Sequence, residues 1–293
     1  MTWKAVARKD FRDSLRSRWF WVISAIFIGL FIGSAYFVGA GLGDIDQQVS
    51  TDAFLALLGG RVVALLVPLI ALVVAYNAIV GERESGTIKL MLSLPHSRQD
   101  VVVGKLLGRS GVIAVPILLG MVAAGITLVV FGINLEIVNY LLFTVLTIVL
   151  GVTFVSIAIG ISAATSTNRR SMVVSVALYV LFTQLWTYVR RMLLYVDDGL
   201  SLGWETAQFA KYSMFVKYFN PIRAYETLAA TLYMGSTLDA RLYQQSARVR
   251  QAYAQILGET PFYLSDAVVV AQFLLWLLIP VAVGYLLFDR AEL

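Results

Sequence analysis

The chain has 293 residues, 59% of them hydrophobic and only 14% charged, with a formal net charge of +5 and a mean hydropathy of +0.79. This composition excludes an ordinary soluble domain, and the absence of cysteine excludes disulfides, thiolate metal sites and cysteine nucleophiles. The modest positive charge identifies no partner, because in a membrane protein the placement of basic residues outweighs their sum.

In residues 1–18, Trp3, Ala7, Phe11 and Leu15 recur four apart, with Lys4, Arg8, Arg12 and Arg16 one step round. The stripe predicts an interfacial amphipathic helix on the inner leaflet, its cations near anionic lipid; the alternative is a basic tail without fixed structure. Charge-free windows follow at 19–43, 62–81, 110–135, 137–168, 171–189 and 267–288. Each holds the ~20 residues a spanning helix needs. The expected fold is therefore all-α and polytopic, with six transmembrane helices. A barrel would instead show short segments alternating in polarity. The first window starts too late and runs too long for a secretory signal and is expected to be retained. Within it, Gly29 and Gly33 read as a close-packing face.

Six basic residues precede the first span, and five (Arg83, Lys89, Arg98, Lys105, Arg109) lie in 82–109. Arg169 and Arg170 separate spans four and five, and Arg290 lies near the carboxyl end. The short alternate loops hold Arg61 alone. The positive-inside rule then puts both termini in the cytoplasm and residues 190–266 outside, long loops being largely exempt from the rule.

That topology places Glu82 and Glu84 at the carboxyl end of a helix, where acids oppose the helix dipole by ~0.3–1 kcal/mol, so a partner is expected to favour them. A plain solvated helix end is the competing reading. Gly86 can end this helix, Thr87 can start a short one over 88–94 that Pro95 stops, and Ser97 with Asp100 reads as a capping box for the next. A helix, a break and a helix at the cytoplasmic face suit docking in a partner's groove.

Polar residues within the spans are few, chiefly Asn77, Gln184 and Gln272. Interhelical hydrogen bonding is their expected use and lining a pathway the alternative. No carboxylate or arginine sits mid-span, which argues against an ion-coupled carrier. In the external segment, Trp204, Phe209, Tyr212, Phe215 and Phe219 suit an interface helix. Asn220-Pro221 supplies an N-cap and first-turn proline for 222–234, stopped by Gly235, and 238–256 repeats apolar residues at helical spacing. Two or three short helices are expected there.

Enzyme motifs fail on inspection. Gly199-Leu200-Ser201-Leu202-Gly203 imitates a nucleophile elbow, but no strand precedes it, and the sole histidine, His96, is assigned to the opposite side of the membrane. One histidine is no metal site, and no catalytic or metal residue is assigned. Gly104-Lys105 is followed by Leu106, so no phosphate loop exists and the chain should not hydrolyse ATP by itself.

As a set, Glu82-Arg83-Glu84, Gly86-Thr87, Leu94-Pro95, Ser97-Arg98 and Gly104-Lys105 resemble the loop after the second helix in membrane subunits of ABC-2-type exporters. Ala7-Arg8-Lys9 with Arg16 and Trp19, the run from Ala75 to Glu82, and Asn220-Pro221 with Ala224-Tyr225 are similar to the same family. The subgroup most resembled is the permease of the nitrous-oxide-reductase maturation transporter, associated with copper-site assembly.

The resemblance implies one ABC-2-type transmembrane domain over 1–293 and a plasma-membrane permease that couples ATP hydrolysis on a separate nucleotide-binding subunit to export. It implies a second permease copy, no cofactor in this chain, and ATP with Mg on the partner. Carried over, Glu82, Arg83, Glu84, Gly86 and Thr87 form an acidic coupling element, and Ser97, Arg98 and Lys105 its second arm. An ATP-independent channel or carrier is the alternative, and an intramembrane hydrolase the third.

Overall fold

The computed structural model describes residues 3–42, 47–88, 97–200, 203, 206–243, 245–257 and 261–291, and among these the secondary structure is helical throughout. Helix α1 (Trp3–Leu15) precedes α2 (Arg18–Leu42), the first span. The second span runs through α3 (Gln47–Leu57), a π turn at Leu58–Val62, α4 (Val63–Ala75) and a short α5 (Val80–Glu84). The third is α6 (Arg98–Val130), the fourth α7 (Ile137–Ala164). The fifth joins α8 (Asn168–Val180) through a second π turn, Leu181–Leu185, to α9 (Trp186–Leu200). After α10 (Thr206–Phe219), α11 (Pro221–Ala230), α12 (Thr237–Leu242) and α13 (Ala247–Leu257), α14 (Asp266–Asp289) is the sixth. Six helices are thus long and apolar enough to cross a membrane.

The fourth span is the central post, with Phe143, Leu150, Phe154, Val155, Ile157, Ala158 and Ile159 all buried. Lipid offers no hydrophobic drive between spans, so close backbone approach through small residues must hold them together. Gly160 of the fourth span and Gly284 of the sixth meet so tightly that a Cβ on either would overlap the other helix's backbone. Gly120 of the third receives Phe27 and Phe31 of the first in the same way. Within this chain the expected Gly29/Gly33 face is not used for packing. Both glycines face open space, and the packed stripe of the first span is Phe27, Phe31, Ala35 and Val38.

The second span departs from the continuous helix that its hydropathy predicts. Helical geometry lapses at Tyr76–Ile79, and the freed backbone groups are met by three neighbouring helices. Arg109 Nη1 donates to the Val74 carbonyl at 2.9 Å, and Ser171 Oγ to the Tyr76 carbonyl at 2.5 Å. Ser162 Oγ accepts from both Ile79 N–H and Val80 N–H at 3.0 Å. A break at membrane depth survives only when protein groups replace the lost ladder in this manner.

The segment before the sixth span is richer than the expected two or three helices, with four α-helices among its described residues. Asn220 caps α11 as its sequence predicts, Oδ1 accepting from Ile222 N–H at 2.8 Å. Helix α11 ends at Ala230, four residues short of the expected Met234, and the 238–256 periodicity divides into α12 and α13. The fully buried Arg241 fastens this layer to the sixth span, donating to the Leu264 carbonyl at 2.9 Å, Thr227 Oγ1 at 3.0 Å and Asp266 Oδ1 at 2.5 Å.

Candidate coupling site

Helix α1 lies along the amino-terminal part of the third span because that span presents glycines to it. A Cβ at Gly104 would strike Val6 and the Trp3 carbonyl, one at Gly108 would strike Asp10, and one at Gly111 would crowd Phe11. The face of α1 that is buried centres on Val6 and Asp10, while Lys4, Arg8, Lys9, Arg12 and Arg16 are exposed. The buried stripe is therefore rotated from the expected Trp3, Ala7, Phe11, Leu15 line, and an acid sits at its middle.

Asp10 is buried, which for a carboxylate requires charge partners. Lys105 Nζ donates to Asp10 Oδ1 at 2.8 Å and also to Glu82 Oε1. Arg109 Nε lies 3.0 Å from Asp10 Oδ2, an ion pair off the geometry of a hydrogen bond. Two acids and two bases balance, with Lys105 only 8% exposed at its side chain. One ammonium thus joins α1, the end of the second span and the third span.

Glu84 has a different partner. Its carboxylate accepts from Asn168 N–H at 2.9 Å and from Asn168 Nδ2 at 2.5 Å, at the first turn of the fifth span. An anion there meets the positive end of that helix's dipole, which offsets the unfavourable end of its own. The partners that the two acids were expected to have thus include groups of this same chain. Arg83 is partly buried.

Gly86 takes φ +74° and ends α5 as expected: glycine adopts this left-handed conformation without steric cost. Thr87 Oγ1 folds back to donate to the Glu82 carbonyl at 3.2 Å. Ile88 is buried, whereas the rest of the predicted 88–94 helix, with Pro95 and His96, lies outside the described residues. On the second arm the Ser97–Asp100 capping box forms, each residue's side chain accepting from the other's backbone N–H. Asp100 Oδ1 also accepts from Trp3 N–H at 3.0 Å, tying the start of α1 to the third span. Arg98 Nη1 donates to the carbonyls of Phe288, Asp289 and Ala291 at 2.5, 2.8 and 2.9 Å. These carbonyls lie at and just beyond the carboxyl end of the sixth span, where the helical ladder runs out of donors; the Phe288 carbonyl also accepts from Ala291 N–H at 3.2 Å.

The three span amides are not brought together. Asn77 is exposed at the break in the second span, beside a cavity of about 360 Å³ that Arg109, Ser17 and Trp19 also line. Gln184 lies in the π turn of the fifth span. Gln272 is buried with neither amide atom hydrogen-bonded. Among the described residues none of the three bonds to another helix, so the expected interhelical role is corrected. Sequence reasoning passed over Asp10 and Asn168; of the two acids among six bases in residues 1–18, Asp10 is the buried one and Asp13 is exposed, a difference that the sequence alone does not announce.

The family model described as "ABC-2 family transporter protein" matches residues 4–293. Two similar proteins are each named "Probable ABC transporter permease protein NosY", one from Stutzerimonas stutzeri and one from Pseudomonas aeruginosa. Each is 32% identical over 198 residues, covering 66% of this chain and 71% of the relative. The six spans and the match over residues 4–293 agree: the chain belongs to the ABC-2 family of transporter permeases, multi-pass membrane subunits that act with a separate ATPase chain.

Proposed function

We propose that this permease works as one half of a membrane dimer in an ATP-driven exporter, with both termini and 82–109 in the cytoplasm. In this reading the assembly around Lys105 is the input lever. The observation that carries it is the bridge from Lys105 to both Asp10 and Glu82. A loop that receives force from an ATPase must transmit it to the spans, and buried ion pairs with defined partners transmit displacement better than a solvated loop. Glu82, Glu84, Arg98 and Lys105 root the loop on the second, third, fifth and sixth spans, while Ser85, Thr87 and Ser97 remain exposed to face the ATPase chain. ATP and Mg act on that partner, and nucleotide-driven closure of the ATPase pair shifts the permeases between two states that it binds unequally. The basic residues gathered at 1–18, 82–109 and 169–170 support the orientation.

Two variants divide the roles when this chain is co-purified with its ATPase. Thr87→Trp at the exposed face is expected to lower recovery of the ATPase chain. Lys105→Met is expected to retain the ATPase chain yet lose nucleotide-dependent movement of spin labels on the spans. Full recovery with Thr87→Trp together with unchanged movement in Lys105→Met contradicts the coupling assignment.

A further inference from the structure

At the end of the bundle opposite Lys105, the two π turns face one cavity. Leu58–Val62 contributes Arg61, Leu181–Leu185 contributes Thr183 and Gln184, and Arg223 and Glu226 of α11 close the wall around about 280 Å³. A π turn inserts a residue into a helix and weakens its ladder, so it is rare and concentrated at functional sites. Two of them lining a single cavity is a stronger signal than either alone.

The turn in the fifth span is secured by groups other than Arg61 and Gln184. Asn220 Nδ2 donates to the Phe182 carbonyl at 2.7 Å, and Thr183 Oγ1 to the Tyr179 carbonyl at 2.7 Å. Arg223 Nη1 donates to Glu226 Oε2 at 2.8 Å, which neutralises the one acid of the wall. The Arg61 guanidinium and the Gln184 amide are both exposed and make no hydrogen bond or ion pair with another described residue, so both are available to a ligand. Arg61 and Glu84 fall near opposite ends of the second span, and about 23 residues at ~1.5 Å rise, were the helix unbroken, would cover about 35 Å against a ~30 Å hydrocarbon core, which puts Arg61 near the interface. It is also the basic residue that stands alone in the short loops of its side.

The surroundings carry the same sign. Lys217, buried in the neighbouring α10, is held down to about 7, first by burial and then by Arg190 and Arg223. Beyond burial, the charges that act on it are three arginines, Arg190, Arg223 and Arg241, against one acid, Glu226. A cavity of this size is at the small end of ligand pockets and suits one compact group.

We propose that this cavity binds an oxyanion, a carboxylate or a phosphate-like group, with Arg61 as its fork-shaped cationic donor and the Gln184 amide as a second donor. Planar guanidinium geometry matches both anions. The inference does not depend on the coupling role of the Lys105 cluster, since nothing in it requires ATP. The anion can come from free solute or from the headgroup of an acidic phospholipid, and the chemistry of capture is the same.

The test uses the full chain in phosphatidylcholine vesicles, titrated with inorganic phosphate against chloride at equal ionic strength, with thermal unfolding as readout. A bound anion raises the midpoint in a saturable way. Arg61→Gln and Gln184→Leu are expected to weaken apparent phosphate affinity by about tenfold to a hundredfold for the first and less for the second. Neither side chain has a partner to lose, and each variant's midpoint in chloride checks its fold. Repeating the titration with 20 mol% phosphatidylglycerol, ~20% of the lipid, separates the sources. Abolition of the phosphate response assigns the site to a lipid headgroup, and persistence assigns it to a free anion. The proposal is overturned if wild type responds to neither phosphate nor phosphatidylglycerol, or if the response is the same in both variants.

Discussion

Lys105 and Asp10 stand 95 positions apart in the chain and 2.8 Å apart in space, buried together where α1 crosses the third span. The contact needs Gly108, since a Cβ there would come within 3.0 Å of Asp10. Helix packing and ion pairing therefore depend on each other at this point. Gly108→Val is expected to lift α1 from the third span at a cost of about 1–3 kcal/mol, an overpacking penalty. Limited proteolysis within residues 3–15 should become faster in the variant. An unchanged cleavage rate would mean that α1 is held by other contacts.

The Glu84 carboxylate should behave as the cap of the fifth span. Glu84→Lys removes charge-assisted bonds to Asn168 and sets a cation against the positive end of that helix. At this exposed position these effects together are expected to cost about 1–2 kcal/mol. Membrane insertion should be unchanged, because the basic residue adds to the existing bias. Thermal unfolding in detergent measures the loss; Glu84→Gln, which keeps one acceptor, should lie between. A midpoint equal to wild type in both restores the solvated-helix-end reading.

At the break in the second span, one hydroxyl serves two backbone donors. Ser162→Ala leaves the N–H groups of Ile79 and Val80 without their acceptor, a cost of about 1–3 kcal/mol for each buried donor left unmet. Amide exchange at those two residues should accelerate while exchange in α4 stays slow. Equal exchange in variant and wild type would show that water or another group replaces the hydroxyl.

Lys217 gives a signed pH dependence. Its ammonium donates to Tyr218 Oη at 3.1 Å and to the Arg241 carbonyl at 3.3 Å, and its folded pKa is lowered from 10.5 to about 7, chiefly by burial. Between those values the unfolded chain binds more protons than the folded one, so stability rises with pH across that window. Lys217→Met removes that rise. The variant is expected to be more stable than wild type near pH 6, by on the order of a few kcal/mol, with the gain shrinking from pH 7 to 10. A gain that does not vary with pH contradicts the assignment.

What the sequence made legible follows from the range of the forces involved. Charge-free runs are local, and all six spans were readable from them. Local hydrogen bonding also made the Ser97–Asp100 box, the Asn220-Pro221 start and the Gly86 stop readable. The Asp10–Lys105 pair was not, because it exists only once the glycines of the third span admit α1. The lapse at Tyr76–Ile79 carries no proline or glycine to announce it, and its support comes from Arg109, Ser162 and Ser171 on three other helices. The π turn at Leu181–Leu185 is equally silent, since its residues read as ordinary span, whereas Leu58–Val62, with Gly59, Gly60 and Arg61, reads as loop before the second window and is helical in the structure. The charged stretch after the second span was legible as such, yet where its charges go could be learned only from the packing.

Orientation has a direct check, since the chain has no cysteine of its own. Gln99→Cys and Ser236→Cys place labels at two exposed positions. An impermeant maleimide added to intact cells should mark the second and spare the first. Labelling of Gln99→Cys from outside reverses the topology.

The central claim is that α1 and the end of the second span move as one body because Lys105 joins them. Spin labels at Lys9→Cys and Ser85→Cys, both exposed, report that distance by pulsed electron resonance in the complex with its ATPase. The account predicts one narrow distance distribution, unchanged by nucleotide in wild type and broadened in Lys105→Met, where a buried pair has lost one member. A wild-type distance that shifts with ATP, or a Lys105→Met distribution indistinguishable from wild type, would contradict it.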